Sequence, residues 1–233
     1  MISDQKPLDF RRTASIFAGR NSSEIACMRT RIAALTAPVL MALALAAVPA
    51  SAAGLDGMGQ AIFGNSFNFS KANLEKAPVK AIGVGKLTVQ LQRTKLKDVQ
   101  KAFGGTIRRE GDGAGRADWL CYGAEGANVW FISNALGGYE FVMMVAAEAA
   151  SKPSKSCDAA PAGLTAPNFG IPGLGASTAD LKATFGSASG SKIAYRSDRP
   201  GGYSDIAQYI GYLIKGGKVA GIGIGETSVQ TAH

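Results

Sequence analysis

Two stretches of this chain carry the same order of residues, and that repeat constrains the fold more than any other feature. Asp98-Val99-Gln100-Lys101-Ala102-Phe103-Gly104 and Asp180-Leu181-Lys182-Ala183-Thr184-Phe185-Gly186 both read Asp, apolar, three residues, Phe, Gly. On a helix the apolar residue and the Phe lie four apart and share one face, and glycine is the residue type that ends a helix in the left-handed conformation. The second copy adds Ser177-Thr178-Ala179-Asp180, the pattern of a capping box. Downstream, aromatic and β-branched runs bracket a Gly-Gly pair in each copy: 129–133, Gly137-Gly138 and 139–147, then 208–212, Gly216-Gly217 and 218–226. These are hairpin signals. The offset between the copies is 79 residues for the strands and 82 for the helices. Further strands are expected at 117–122 and 192–196. The fold class is therefore α+β: two tandem modules, each a short helical segment packed on an antiparallel sheet.

The boundaries that follow are an N-terminal extension over 53–82, module 1 over 83–149, a Ser/Lys/Ala/Pro-rich linker over 150–169 and module 2 over 170–233. In the second module Gly221, Gly223 and Gly225 alternate with Ile222 and Ile224, so one face of that strand is bare backbone. Three glycines on one face predict a helix or a large aromatic lying close against it, with a ligand groove as the rival reading. Phe63, Phe67 and Phe69 stand among Gly, Asn and Ser in the extension; they either dock it onto the core or belong to a flexible spacer.

Ahead of the modules, 19 uncharged residues, 32–50, follow Arg29 and Arg31 and precede Ala50-Ser51-Ala52, a small-x-small cleavage pattern. This reads as a secretory signal peptide over 28–52, cleaved after Ala52; a membrane anchor is the rival, weakened by Pro38, Pro49 and the many alanines. Residues 1–27 are polar and aperiodic and lie upstream of an ordinary start at Met28. After cleavage 19 basic and 14 acidic residues remain, an excess of five, with no basic run interleaved with aromatics. The expectation is an exported, periplasmic or secreted protein with no membrane span and no nucleic-acid partner. Cys121 and Cys157 remain as an even pair in an oxidising compartment, most simply a disulfide; two free thiols or a metal pair are the alternatives, and zinc would lack further ligands.

Catalytic templates are hard to place on this chain. The single histidine is His233, the last residue, so an imidazole proton shuttle is missing from the repeated helices and strands. Gly83-Val84-Gly85-Lys86 is followed by Leu87 rather than Ser or Thr, which breaks the phosphate-loop order. Gly-x-Ser-x-Gly is absent, and the Ser-Lys pairs at 151, 154 and 191 lack the spacing that shares a helical face. Asp98 and Asp180 are explained as helix starts, and Asp112, Asp118, Asp198 and Asp205 as members of Gly-rich turns. The reading is no enzyme, no cofactor and no metal.

At Leu174-Gly175-Ala176-Ser177-Thr178-Ala179-Asp180-Leu181-Lys182-Ala183-Thr184-Phe185-Gly186 the chain resembles small secreted helix-plus-sheet modules. These are the outer-membrane assembly lipoproteins of the SmpA/OmlA type and the tandem-repeat β-lactamase inhibitory protein. The first copy departs from their pattern, with Leu91-Gln92 where Leu-Gly stands in the family. The resemblance implies an exported tandem module whose sheet offers a concave face to a protein partner, and it carries over no inhibitory loop. Aromatics that alternate onto the sheet surface are then the candidate contacts: Trp119, Tyr122, Trp130, Tyr195, Tyr209 and Tyr212, although in a small sheet protein such residues more often fill the core than an interface. The function expected is non-catalytic binding of a protein partner in the cell envelope, with inhibition as one form of it. An enzyme or small-ligand carrier acting on envelope polymers and a structural envelope component are the rival readings.

Overall fold

Period-two alternation along the strands sends side chains into two separate cores, one on each side of a single large sheet. The computed structural model describes residues 54–124, 126–201 and 203–230. The leader over 28–52, its cleavage site and the segment 1–27 lie outside the described residues. Among the described residues no helix is long and apolar enough to cross a membrane.

The first copy contributes α2 (Leu96–Phe103), β3 (Arg108–Glu110), β4 (Ala117–Ala124), β5 (Ala127–Ser133) and β6 (Met144–Ala149). The second contributes α3 (Thr178–Phe185), β8 (Lys192–Arg199), β9 (Ser204–Lys215) and β10 (Lys218–Gln230). A helix α1 (Gly57–Phe63) and a hairpin of β1 (Ile82–Val84) and β2 (Leu87–Val89) precede them, and β7 (Asp158–Ala159) lies in the connection. The eight-stranded sheet runs β3-β4-β5-β6-β10-β9-β8, with β7 parallel to β4. The last strands of the two copies thus pair at the centre, antiparallel, and fuse both modules into one sheet.

The register confirms the repeat. Trp130 faces Ala146 and Tyr209 faces Gly225, pairs related by the 79-residue offset, and at the junction Val145 faces Ile224 at that same offset. An approximate two-fold axis therefore passes through the Val145–Ile224 pair. The helices agree as well. Ser177 accepts from the Asp180 amide while the Asp180 carboxylate accepts from the Ser177 amide, which completes the expected capping box. In α2 only half survives, because the Lys95 ammonium cannot accept: Asp98 takes the Lys95 amide at 3.2 Å. Gly186 ends α3 in the left-handed conformation, whereas Gly104 ends α2 at φ 73°, ψ −151°, a region open in practice to glycine alone.

The Gly216-Gly217 turn joins β9 to β10 directly, with φ of 57° and 73°. Its counterpart differs from expectation. Asn134 accepts the Leu136 and Gly137 amides, winding a single 3-10 turn, and strand pairing resumes only at Met144. The local side-chain bond outcompetes the tight hairpin.

On one face lie α2, α3 and the β1–β2 hairpin, burying Leu96, Val99, Phe103 and Leu181 against Leu120, Tyr122, Phe131, Tyr195, Ile210 and Tyr212. Phe185 lies against Tyr195 with ring centroids 4.2 Å apart and Phe103 meets Tyr122 edge to face at 6.0 Å, so each copy docks its helix through the Phe of the repeat. On the opposite face α1 lies across β5, β6 and β10. Seven residues are too few for a stable isolated helix, so packing holds it. Met58 and Ile62 lie against Gly223, and Trp130 lies under Gly59. The approach predicted for the alternating glycines is thereby met, by Met58 at Gly221, by Ile62 at Gly223 and by the Tyr209 ring at Gly225. Carboxylates anchor the entry to α1: Glu110 accepts the Leu55 amide at 2.7 Å, Glu148 the Met58 amide at 2.8 Å, and Asp56 the hydroxyls of Ser154 and Ser156. The extension is thus docked, and it is no spacer.

Cys121 of β4 is bonded to Cys157, their Cα atoms 4.4 Å apart, which ties the connection between the copies to the sheet. A closed loop of 36 residues stabilises by about 4 kcal/mol in the chain-entropy account.

Candidate functional site

The six aromatics expected to face a partner do not form a surface. Trp119, Tyr122, Trp130, Tyr195 and Tyr212 are all at most 1% exposed. This corrects the expectation, and the reason is the covering of both faces: alternation that avoids one core delivers the side chain into the other. Tyr122 donates its hydroxyl to the Gly104 carbonyl at 2.7 Å and Tyr212 to that of Pro172 at 2.9 Å, so their polar ends are satisfied inside. The buried indole N–H groups of Trp119 and Trp130 have no partner among the described residues.

Tyr209 is the exception. Its ring is half-buried and lies beside Phe69, with centroids 5.3 Å apart, and Phe69 leans on Phe67 at 5.7 Å. These rings, with Phe63, Arg196 and Ala207, line a groove of about 480 Å³. Its origin is an asymmetry between the faces. The side bearing α2 and α3 has a helix for each copy, while the other has, among the described residues, only α1, placed over the first copy and the junction. The outer end of the second copy is roofed instead by the loop after α1. Gly211 makes room for the edge of Phe67, since a Cβ there would sit 2.6 Å from the ring. Arg196 donates to the Phe69 carbonyl at 2.8 Å and to Asp198 at 2.7 Å, fixing the loop to β8. Burial pushes the Tyr209 hydroxyl pKa up, so the group stays protonated through the physiological range.

A second recess, about 610 Å³, opens on the helix-bearing face between the Gln90–Arg93 turn and the ends of β9 and β10. Its floor is polar. The Gln208 amide clamps Val79, accepting its N–H at 3.0 Å and donating to its carbonyl at 2.7 Å, and also donates to Glu226 at 3.2 Å. Gln92 donates to the other Glu226 oxygen at 2.9 Å and accepts the Ser228 hydroxyl at 2.6 Å. The recess carries two acids, Glu75 and Glu226, and the second is already held by these amides.

The aspartates resolve as follows. Asp98 and Asp180 start helices, as expected. Asp118 is no turn residue: it is the second residue of β4, 5% exposed, gripped by Arg116 at 2.7 Å and Arg109 at 3.1 Å. Burial raises its pKa, but the hydrogen bonds from Arg116 and Arg109 outweigh that effect and leave it below the usual carboxylate value. Asp198 and Asp205 likewise lie in strands, β8 and β9.

Arg196, Gln208 and Glu226 were not singled out from the sequence; Gln92 stood out there only as a departure from Leu-Gly, and Phe63 and Phe69 only as residues that dock the extension or belong to a spacer. A signal existed for two of them. The 79-residue offset sets Gln208 on Val129 and Glu226 on Ala147, a polar pair where the first copy is apolar. No family model matches this chain, and neither the curated proteins nor the solved structures contain a match to it.

Proposed function

We propose that this chain is an exported, non-catalytic binding protein that holds a protein partner through the aromatic groove at the outer end of the second copy. The observation that carries the reading is the unequal covering of the sheet: Phe63, Phe69 and Tyr209 stay half-buried beside Arg196, and among the described residues no second helix lies over them. Aromatic and arginine side chains in a concave, partly dry setting are the usual anchors of protein interfaces. The signal-peptide pattern supports export, and the resemblance of the repeat to secreted tandem modules supports partner binding by analogy. The one histidine, His233, lies outside the repeated helices and strands, which supports a role without acid–base catalysis by imidazole.

The test uses the mature protein as bait in an envelope extract, with recovered proteins quantified by mass spectrometry. Phe69→Ala and Ser70→Arg, the latter at an exposed rim position, should each lower recovery of a wild-type partner by tenfold or more, the loss typical of an interface anchor at roughly 2 kcal/mol. Equal recovery at unchanged melting temperature would remove the groove from the function.

A further inference from the structure

The recess on the helix-bearing face has a composition that the fold does not require. Val129 and Ala147 form a cross-strand pair in the first copy; Gln208 and Glu226 form the equivalent pair in the second. The first copy shows that an apolar pair builds the same sheet, and burying polar groups costs free energy unless every one is partnered. Partnering here has needed a further device. Gln92 sits at φ 62°, an unusual backbone state for a residue with a side chain, and is held there while its amide bridges Glu226 and Ser228. Backbone strain of this kind concentrates at binding and catalytic sites.

Charge adds an independent observation. Lys76, Lys80 and Arg93 line the recess, are exposed, and form no ion pair among the described residues. Arg199 adds a fourth cation, 3.7 Å from the inner carboxylate of Glu226, which is only 14% exposed. The recess therefore presents the oriented Glu226 carboxylate at its floor beneath a rim of four cations and one exposed acid, Glu75. A complementary ligand carries an N–H donor at one point and carboxylates around it, and about 610 Å³ accommodates a small molecule of that kind.

We propose that this recess binds short acidic peptides, Glu226 accepting the ligand's amino group while Lys80, Arg93 and Arg199 take its carboxylates. The site lies on the opposite face from the aromatic groove, so its occupancy is independent of the partner reading. Guanidinium groups suit the task because they grip a carboxylate with two parallel hydrogen bonds.

Calorimetric titration of the mature protein with triglutamate, N-acetyl-triglutamate and inorganic phosphate tests the assignment. Triglutamate is expected to bind with a Kd of about 1 mM or tighter, and acetylation to weaken it about tenfold, the loss of one charge-assisted bond. Glu226→Gln should erase the difference between the free and acetylated peptides. Lys80→Glu combined with Arg93→Glu, both exposed and outside any ion pair among the described residues, should weaken both peptides by tenfold or more at an unchanged melting temperature. The proposal is overturned if triglutamate fails to bind, if phosphate binds as tightly as triglutamate, or if the rim variant binds normally. Should Glu226→Gln prove unstable, the rim variant and the acetylation contrast decide the matter without it.

Discussion

Adding one methyl group at Gly223 probes the closest contact between α1 and the sheet. An alanine Cβ there would stand 2.9 Å from Ile62 Cβ and 2.9 Å from Met58 Cε. Carbon atoms pack best at about 3.5–4.0 Å, so the helix must retreat by roughly half an ångström or more. Overpacking of this degree costs about 1–3 kcal/mol. Against it stands a gain of about 0.4–1 kcal/mol, since alanine restricts the unfolded chain more than glycine does. The net expectation for Gly223→Ala is a destabilisation of about 1–2 kcal/mol, or roughly 3–6 °C in melting midpoint for a chain of this size. Ile62→Ala alone should cost about 2–5 kcal/mol by leaving a cavity. The double variant is the decisive one: the truncated side chain vacates the space that the new methyl enters, so the two losses should fall short of additive by about 1 kcal/mol or more. Thermal and urea melts followed by circular dichroism supply all four corners of the cycle. A neutral or stabilising Gly223→Ala, or strict additivity, would refute the claim that the glycine face exists to receive α1.

Trp130→Ala removes a side chain that lies wholly between β5 and α1, so it should lower stability by about 3–5 kcal/mol in denaturant melts and have no separate effect on partner recovery in samples that remain folded. Replacing Cys121 and Cys157 together by serine should cost about 4 kcal/mol, and reducing the wild type should lower its melting midpoint to a similar degree; a wild type indifferent to reductant would show that the bond does not constrain the chain. Asp118 has a lowered folded-state pKa, so its contribution is complete above about pH 4, where the unfolded carboxyl titrates, and is lost as pH falls through the folded value. Asp118→Asn should therefore cost about 2 kcal/mol at neutral pH and flatten the acid limb of a stability–pH profile; an unchanged limb would show that other carboxylates set it.

The legible part of the site was small, for a physical reason. Strand alternation reveals which residues share a face but not what covers that face. Trp119 and Leu120 are neighbours in β4, and one lies beneath α1's side while the other lies beneath the side of α2 and α3. Read locally, the aromatics of such a strand could equally meet solvent. The exposure of Tyr209 follows from α1 having no counterpart over the second copy among the described residues, a fact about one non-repeated segment. The polar pair at Gln208 and Glu226 was within reach of a strict alignment of the two copies, but its significance depends on Gln92, which arrives from more than 100 residues away in sequence.

The amino-acid sequence by itself determined the local and periodic elements: the duplicated helix with its Ser177–Asp180 start and glycine stop, the antiparallel strands that follow it in each copy and the 79-residue offset between them. These depend on spacing, capping chemistry and backbone freedom, which act over a few residues. Only the tertiary structure decided that β6 would pair with β10 to make one sheet, that the extension would fold into α1 against the glycine face, and that the uncovered ground would lie beside Tyr209. Those outcomes rest on which apolar surfaces meet across long sequence separations, and burial is settled by the whole assembly of elements, not by any one of them.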